Sequence, residues 1–451
     1  MYDVAVVGGG IAGSMAALGA ARAGASVILI ERYGFAGGTL AACGTGPMMT
    51  FHAGEIKAVQ GVTDELIERL KEKDLSPGHI FDTTGYTYSV TPFSAEGMKL
   101  ELDNMLLEAG VKLLYHSTVC DVIFKNKELK AVKVCGKNGI KEISARIFVD
   151  ASGDCDLSVL CGLPYTKGRE SDGKCQPMTM NFKLTNVDIE SVKQYIMTHN
   201  EEFPRLRGDL EKVTRSCRLS IGGYVETLRA AQDSGEITFG REDILFFETN
   251  TPGEVIVNTT RVINADPTEP EELTYAETIG RKQVWEVYNL LKTKVQGFRE
   301  AQLEFSGPFI GIRSSRQIVG LYTLSEYDII DCAEFPDTIA RGGYPIDIHA
   351  PEGMRSDAYD RTKHMLNYGD MYSIPYRALV PKGARNIITA GRCISASFEA
   401  QAAIRVSPIA GATGHAAGVA AAVCVKNETT APDADINEIR AELLRQGAYL
   451  G

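Results

Sequence analysis

Three glycines near the start of the chain have the spacing that lets a backbone approach a phosphate group. Gly8, Gly10 and Gly13 occur in the stretch VAVVGGGIAG. In a G-x-G-x-x-G pattern the first glycine permits a tight turn, the second admits a pyrophosphate, and the third lets a helix pack on a strand. Ile11 and Ala12 would supply backbone amides at the start of that helix, where its dipole favours anions.

The residues on either side predict the elements that hold this turn. Residues 4–7 are apolar and β-branched, as in a strand buried on both faces, and residues 14–23 are rich in alanine and helix-prone. Residues 26–30 form a second apolar run. Glu31 follows it, 18 residues after Gly13, where an acidic side chain binds ribose hydroxyls. This βαβ order predicts a dinucleotide site but leaves NAD and FAD open.

The stretch RYGFAGGT after the acid favours FAD. A glycine pair at this distance is frequent in FAD proteins of the glutathione-reductase type, where the chain turns beneath the ribityl and diphosphate region. The candidate contacts here are Arg32, Gly37, Gly38 and Thr39, with Thr39 as a hydrogen-bond donor to phosphate or substrate.

Two segments in the middle of the first half predict the adenosine end of the site. The stretch ARIFVDASGD is a strand that ends in small residues, so Ala151 and Gly153 are expected near the adenosine half. The strand STVCDVI is expected to bring a backbone edge to the adenine, with Val119 as the candidate.

A strand and a glycine-rich helix near the end of the chain complete the predicted site. NIITAGR is an apolar strand that ends at a glycine, and AIRVSPIAGATGHAAG is a helix opened by proline. The amides at the start of such a helix can stabilise negative charge near flavin N1 and O2. The candidate contacts are Gly391, Arg392, Pro408, Gly411 and Ala412.

Together these motifs resemble a known family over nearly the whole chain. The set VVGGGIAG, GFAGGT, VDASGDCD, DGKCQPMT, NTTRV, GIRSSRQIVG, GGYPIDIH, SIPYRALVP, ITAGRCISA and IRVSPIAGATGHAAG is similar to that of the bacterial FAD-dependent oxidoreductases of the glutathione-reductase-like superfamily. The resemblance implies bound FAD and redox chemistry, with no defined substrate. Electron-bifurcating relatives carry iron–sulfur cysteine motifs, and this chain has none.

No second nucleotide motif or redox dithiol is found in the sequence. The glycine pairs at 222–223 and 342–343 do not continue into G-x-G-x-x-G, and none of the 10 cysteines forms C-x-x-C. A separate NAD(P)H domain, flavin-to-disulfide transfer and a cysteine-held metal site are therefore not expected. Electrons would enter from an organic substrate, from nicotinamide visiting the same pocket, or from a redox partner or acceptor protein.

Four residues are candidates for contact with the substrate. Arg313, in GIRSSRQ, could clamp a carboxylate with two parallel hydrogen bonds. His349 alternates with Asp347 in YPIDIH and could move a proton, because its pKa lies near neutrality. Tyr372 comes just before the returning FAD strand, and Arg405 lies just before the glycine-rich helix. Core packing or a structural ion pair is the alternative at each position.

The predicted fold class is α/β, with a discontinuous glutathione-reductase-like Rossmann domain that binds FAD. Residues 1–165 and 370–430 are assigned to that domain, residues 166–369 to an inserted mixed α+β substrate domain, and residues 431–451 to a C-terminal helix that docks on the FAD domain.

Within the inserted domain, residues 276–295 are predicted to form a helix, preceded by an acidic loop at 266–272. Its apolar stripe consists of Val284, Val287, Tyr288, Leu291 and Val295. Residues 219–262 are expected to be strands with turns, and residues 331–372 irregular loops.

Composition limits the partners. The 451 residues carry a formal net charge of −11, which argues against nucleic acid. No long uninterrupted apolar window predicts a membrane span, and the scattered cysteines and absence of a signal-peptide pattern predict a cytoplasmic protein. The oligomeric state is left open.

The predicted function is hydride transfer between a small organic substrate and flavin N5, with the direction open. A flavin-dependent lyase or isomerase without net redox change is one alternative. An electron-transfer subunit of a larger complex and a dehydrogenase that uses NAD in the same pocket are the others.

Overall fold

A computed structural model describes residues 1–354 and 365–451. The strands of this part of the chain are β1 (Tyr2–Val7), β2 (Val27–Ile30), β3 (His52–Ala53), β4 (Ile56–Lys57), β5 (Ile80–Phe81), β6 (Ser89–Val90), β7 (Lys112–Leu114), β8 (Thr118–Lys125), β9 (Glu128–Gly136), β10 (Gly139–Ile143), β11 (Ala145–Asp150), β12 (Tyr165–Lys167), β13 (Phe182–Thr185), β14 (Ser220–Gly223), β15 (Ile244–Glu248), β16 (Val255–Val257), β17 (Gln302–Ser306), β18 (Arg316–Ile318), β19 (Thr338–Gly342), β20 (Tyr372–Pro375) and β21 (Ile387–Thr389). The helices are α1 (Ile11–Arg22), α2 (Thr39–Ala42), α3 (Val62–Glu72), α4 (Ala95–Glu108), α5 (Asp156–Leu160), α6 (Ile189–Thr198), α7 (Val225–Asp233), α8 (Pro270–Lys294), α9 (Glu326–Ile330), α10 (Phe398–Ile404), α11 (Ser407–Asn427) and α12 (Ile436–Arg445).

A parallel sheet joins strands from both ends of the chain. Its order is β21-β11-β1-β2-β7, and all four neighbouring pairs run parallel. Helices cover one face and a three-stranded antiparallel sheet, in the order β10-β9-β8, packs on the other. Burial on both faces explains the apolar strand sequences. The α/β fold with a Rossmann-type nucleotide-binding sheet is confirmed.

Helix α11 is the central helix of the core on the helical face of this sheet. Within the described residues it is the one helix whose length and composition would allow it to cross a membrane, with a mean hydropathy of 1.4 over its best window. However, 89% of that window is buried inside the fold. Its apolar character is therefore explained by packing, chiefly against α1.

An antiparallel sheet in the middle of the chain has its own core. Its order is β14-β15-β16-β13-β17, and α6, α7 and α8 pack around it. Val284, Val287 and Leu291, three members of the apolar stripe predicted for α8, are buried here. Helix α8 begins at Pro270, so the last residues of the predicted acidic loop form the first turn of the helix. Proline and acidic residues are favourable in a first turn.

Two coarse expectations need correction. Residues 219–262 were expected to be strands and turns, but α7 interrupts them because its buried Leu228 and Ala231 pack in the core. Residues 331–372 were expected to be irregular, but β19 pairs with β20; residues 355–364 of that segment lie outside the described residues. The expected C-terminal helix is α12, which packs on α11 and β19.

Candidate functional site

The main cavity lies at the carboxyl ends of four adjacent parallel strands. The loops that follow β1, β2, β11 and β21 all line it, as expected for ligand sites in open α/β sheets. The antiparallel sheet and its loops close the far side. The cavity volume is about 280 Å³, and the predicted residues that line it are Gly8, Gly10, Ile11, Ala12, Glu31, Arg32, Gly38, Thr39, Ala151, Gly153, Arg313, Gly391, Arg392 and Arg405.

The first glycine turn is possible only because side chains are missing from it. Gly8 has φ +98°, and a Cβ there would lie 2.4 Å from the carbonyl oxygen of Ala151. A Cβ at Gly13 would lie 1.7 Å from the carbonyl oxygen of Gly8, so Gly13 permits the helix to pack on the turn rather than lining the cavity.

The start of α1 is open to an anion. Gly10 is the N-cap of the helix, and among residues 1–354 and 365–451 no side chain caps the first amides and no acid lies in the first turn. The second glycine pair packs against this turn: the amide of Gly37 donates to the carbonyl of Gly9 at 2.8 Å, and a Cβ at Gly38 would lie 2.8 Å from the Cα of Gly10. The free amides and closely packed turns fit a pyrophosphate group.

Glu31 is buried with its carboxylate against the backbone of the turn. It is 6% exposed, its Oε2 accepts a hydrogen bond from the amide of Gly9, and its Oε1 accepts one from the amide of Tyr33 at 2.8 Å. Each carboxylate oxygen has a second lone pair that can accept a ribose hydroxyl. The side chain therefore both fixes the turn and presents an acceptor to the cavity.

An ion pair crosses between the loops after β11 and β21. Nη2 of Arg392 lies 2.9 Å from Oδ1 of Asp154, and Nη1 of Arg392 donates to the carbonyl oxygen of Ile312. A Cβ at Gly153 would lie 2.8 Å from the same guanidinium. Gly153 and Arg392 were predicted from the sequence as contacts, whereas Asp154 was not. Its position directly after the glycine at the end of the predicted strand could have identified it.

The residues at the start of α11 that line the cavity differ from the predicted ones. Val406, Ser407 and Ala410 line the cavity. Proline does occupy the first turn, but Pro408 is buried outside the lining, and Gly411 and Ala412 also do not line it. A Cβ at Gly411 would lie 2.7 Å from Thr63 of α3, so this glycine serves helix packing. Ser407 and Ala410 are three positions apart and share the helix face that meets the cavity, whereas Pro408, Gly411 and Ala412 are three and four positions apart and share another face.

Val119 is also placed differently from its prediction. It pairs with Val134 in the antiparallel β8–β9 ladder and does not line the main cavity. The backbone that approaches the Glu31 turn belongs to the residues just before β8: the amides of His116 and Ser117 donate to the carbonyls of Tyr33 and Glu31. The sequence predicted this backbone contact on strand β8, whereas the structure has it in the loop that precedes β8.

Two arginines line the end of the cavity nearest the antiparallel sheet. Nη1 of Arg313 donates to the carbonyl oxygen of Pro177 at 2.7 Å and to the hydroxyl of Thr179. Nη2 of Arg405 lies 3.5 Å from Oδ2 of Asp347 and donates to the Asp347 carbonyl oxygen at 3.1 Å. The structure therefore brings together both predicted arginines, although they are 92 positions apart in the chain.

His349 lies behind the cavity wall rather than in it. It is 8% exposed, and its Nε2 is 3.2 Å from Oδ2 of Asp347. Burial and the charge of Arg313 lower the pKa of His349 well below its ordinary value, so the imidazole is neutral near pH 7. The two residues that alternate in the sequence are thus in contact, and His349 is not among the described residues that line the cavity. A role for His349 in moving a proton stays a prediction.

Tyr344, which was not predicted from the sequence, is the tyrosine in the cavity wall near Asp347. It lines the cavity, and its hydroxyl donates to Oδ2 of Asp347 at 3.1 Å. The predicted Tyr372 is fully buried outside the lining, with its hydroxyl donating to the backbone carbonyl of Tyr344 at 3.1 Å. Tyr372 thus positions Tyr344 instead of touching a ligand.

Three further polar residues in the wall were not predicted, although Asn258 begins the stretch NTTRV that contributes to the family resemblance. Thr45, Asn181 and Asn258 come from loops far apart in the chain and line the same end of the cavity. Cys43 also lines it, but burial raises the pKa of its thiol to about 12, so it is protonated and a poor nucleophile.

Comparison with known proteins agrees with this architecture. A family model described as "FAD dependent oxidoreductase" matches residues 3–443. Two proteins named digeranylgeranylglycerophospholipid reductase 2, from Methanothermobacter thermautotrophicus and Methanopyrus kandleri, are both 29% identical over 211 and 214 residues, covering 43% and 45% of this chain. The matches cover 50% of each relative, so the chain spans about half the length of the curated relatives it matches.

Solved structures with a similar course of the chain have low sequence identity. A geranylgeranyl bacteriochlorophyll reductase-like protein from Thermoplasma acidophilum is 13% identical with a TM-score of 0.45, covering 100% of this chain and 84% of that chain. The myxobacterial chondrochloren halogenase is 13% identical with a TM-score of 0.47, covering 99% of this chain and 79% of that chain.

Proposed function

Because the chain belongs to the FAD dependent oxidoreductase family, we propose that it transfers hydride between a small organic substrate and FAD. When bound, FAD supplies a hydride acceptor or donor at its N5 atom. The observation that carries the proposal is one continuous cavity, which runs from the uncapped start of α1 to the arginines beside the antiparallel sheet.

The residues at the parallel-sheet end would hold the dinucleotide. The first amides of α1 bind the pyrophosphate, and Glu31 accepts hydrogen bonds from ribose hydroxyls. Arg32 and Thr39 supply further donors from the loop after β2, while Gly391 and Arg392 line the path from the opposite side. The start of α11 directs its positive end into the same cavity, where it stabilises negative charge on the cofactor.

The residues at the other end would bind the substrate and handle the proton. The Tyr344 hydroxyl is the candidate that exchanges a proton with the substrate, because Tyr344 lines the cavity. Asp347 accepts the hydrogen bond from that hydroxyl and also contacts His349, so the three groups form a chain along which a proton can be held. Tyr372 fixes the backbone of Tyr344.

The proposed cofactor and substrate domains correspond to the two sheets. Residues 1–165 and 370–430 would form the FAD domain, residues 166–369 the substrate domain, and residues 431–451 the helix that docks on the first. The separate cores around the parallel and antiparallel sheets support two units, although Leu324, Ile339 and Ile348 of the second range pack in the core around the parallel sheet. The names of the curated relatives favour reduction of the substrate as the physiological direction.

Purification and anaerobic spectroscopy test the proposal. The protein isolated from cells should be yellow with absorbance near ~450 nm, and protein stripped of flavin should bind added FAD. Anaerobic mixing with candidate reductants and oxidants should bleach or restore that absorbance. Turnover without a change in flavin colour would favour a redox-neutral lyase or isomerase, and a requirement for a protein reductant would favour an electron-transfer subunit. A colourless protein that does not bind FAD would exclude the proposal.

A further inference from the structure

The guanidinium of Arg313 has one edge used by the protein and one edge open. Both hydrogens of Nη1 are directed at the Pro177 carbonyl and the Thr179 hydroxyl, and Nη2 donates to Oδ1 of Asn258 at 3.4 Å. Nε–H has no hydrogen-bond partner within residues 1–354 and 365–451, and Nη2 makes only the long contact to Asn258 there. Nε–H and one N–H of Nη2 point in parallel from the same edge of the guanidinium plane.

Neighbouring charge leaves Arg313 in need of an anion. All its hydrogen-bond partners among the described residues are neutral oxygens. Burial and the charges of Arg405, Arg241 and Arg261 lower the pKa of Arg313 well below its ordinary value, while Asp347 acts in the opposite direction. A buried cation without a hydrogen-bonded counter-ion is costly, and an anionic ligand in the cavity removes that cost.

A second polar group in the same wall is also unsatisfied. Asn181 is 4% exposed and lines the cavity, and its Oδ1 has no partner among the residues that the structure describes. Its Nδ2 makes only a long contact of 3.4 Å to the Thr45 hydroxyl. Since buried polar atoms are nearly always paired, this amide indicates that a ligand completes the wall.

We propose that the substrate carries a carboxylate, which binds the Nε–Nη2 edge of Arg313, and a hydrogen-bonding group that reaches Asn181. This inference rests on the proposed function and names the substrate class for that site. The open edge presents two parallel donors, which match the two oxygens of a planar carboxylate. Phe247 and Met49 add apolar surface to the same lining, which strengthens the ion pair by excluding water.

Matched small molecules test the charge preference without knowledge of the substrate. FAD-loaded protein is titrated with benzoate, with its neutral isostere benzamide and with phenyl phosphate, and the change in flavin absorbance gives each Kd. We expect benzoate to bind at least about tenfold more tightly than benzamide and than phenyl phosphate, a difference of about 1.4 kcal/mol per tenfold.

Two substitutions assign the preference to Arg313. R313Q should abolish the difference between benzoate and benzamide, and R313K should keep part of it because charge remains while the planar edge is lost. R218Q is the matched control and should behave as wild type, because among the described residues Arg218 donates only to backbone carbonyls at the edge of the antiparallel sheet. Thermal unfolding and FAD content of each variant establish that it is folded and loaded.

The outcomes separate this inference from the proposed function. Flavin-loaded protein that binds benzoate and benzamide equally, or prefers phenyl phosphate, overturns the carboxylate assignment and leaves the oxidoreductase proposal intact. If R313Q still binds benzoate more tightly than benzamide, as the wild type does, Arg313 does not bind the carboxylate. The same conclusion follows if R313Q loses part of its FAD but the remaining loaded protein keeps this preference. Protein that never binds FAD overturns both proposals.

Discussion

Gly414 of α11 lies directly against the backbone of Ala12 in α1. A Cβ at position 414 would come 2.0 Å from the carbonyl oxygen of Ala12. Ala12 itself lines the cavity, and so do residues at the start of α11. This contact therefore places the starts of two helices beside each other at the same cavity, so that both positive dipole ends act on one ligand.

Gly414→Ala should separate these helices and destabilise the protein. The added methyl group meets backbone on a helix that cannot move without disturbing the core, so we expect a loss of about 3 kcal/mol or more in the free energy of unfolding. Urea unfolding measures it, and FAD retention should fall in parallel. Gly136→Ala is the control, since its Cβ would have no contact closer than 3.6 Å; equal stability of the two variants would contradict the packing argument.

Glu31→Gln should weaken FAD binding. The amide can accept only one of the two backbone hydrogen bonds, and its NH₂ group then faces the other donor. Loss of a charge-assisted hydrogen bond costs about 1.5–3 kcal/mol, so the Kd for FAD should rise about tenfold or more. Fluorescence titration of the stripped protein measures the Kd. Glu128→Gln, which alters a surface pair with Lys130, should leave it unchanged.

Tyr344→Phe should slow the chemical step and leave FAD binding intact. It removes the hydroxyl that lines the cavity and contacts Asp347, and loss of a general acid or base typically costs about 100-fold or more in rate. Stopped-flow absorbance with the substrate found by the anaerobic screen measures the rate. Tyr372→Phe is the control, since it removes a buried hydroxyl outside the cavity. A larger loss in Tyr372→Phe than in Tyr344→Phe would reverse the assignment.

Stability should fall as the pH drops from about 6.5 to about 4, in part because of His415. Burial lowers the pKa of His415 from 6.5 to about 4. The groups that face it are Gln446 directly after α12, Glu442 of α12, Arg22 of α1 and Glu65 of α3. Between these values the unfolded state binds a proton that the folded state does not, so the stabilisation present at higher pH is lost on acidification. The full difference is about 3 kcal/mol.

Urea midpoints between pH 7 and pH 4 measure this dependence. His415→Gln cannot titrate, so its stability should decline less steeply than that of the wild type over the same interval. Parallel curves for the two proteins would show that other groups cause the decline.

The nucleotide-binding half of the site could be predicted because its chemistry lies in short stretches of chain. Gly13 is required by the carbonyl of Gly8, five residues earlier, and Glu31 follows at a distance fixed by one helix and one strand. The contact of Gly8 with Ala151, by contrast, is made across the sheet. Apolar strands ending in glycine likewise identify Ala151 and Gly391, because parallel strands bring their carboxyl ends to one edge.

Only the tertiary structure determined which residues form the other half. Asn181, Asn258 and Tyr344, which join the predicted Arg313 there, lie in irregular segments, where no helical or strand period fixes the direction of a side chain. The segment around His349 is a loop and not the strand that its alternation suggested, so Tyr344 faces the cavity and His349 lies behind it. The sequence alone thus determined how a dinucleotide can be held, because local backbone geometry is encoded locally. Which distant side chains meet around a substrate depends on how the two sheets pack.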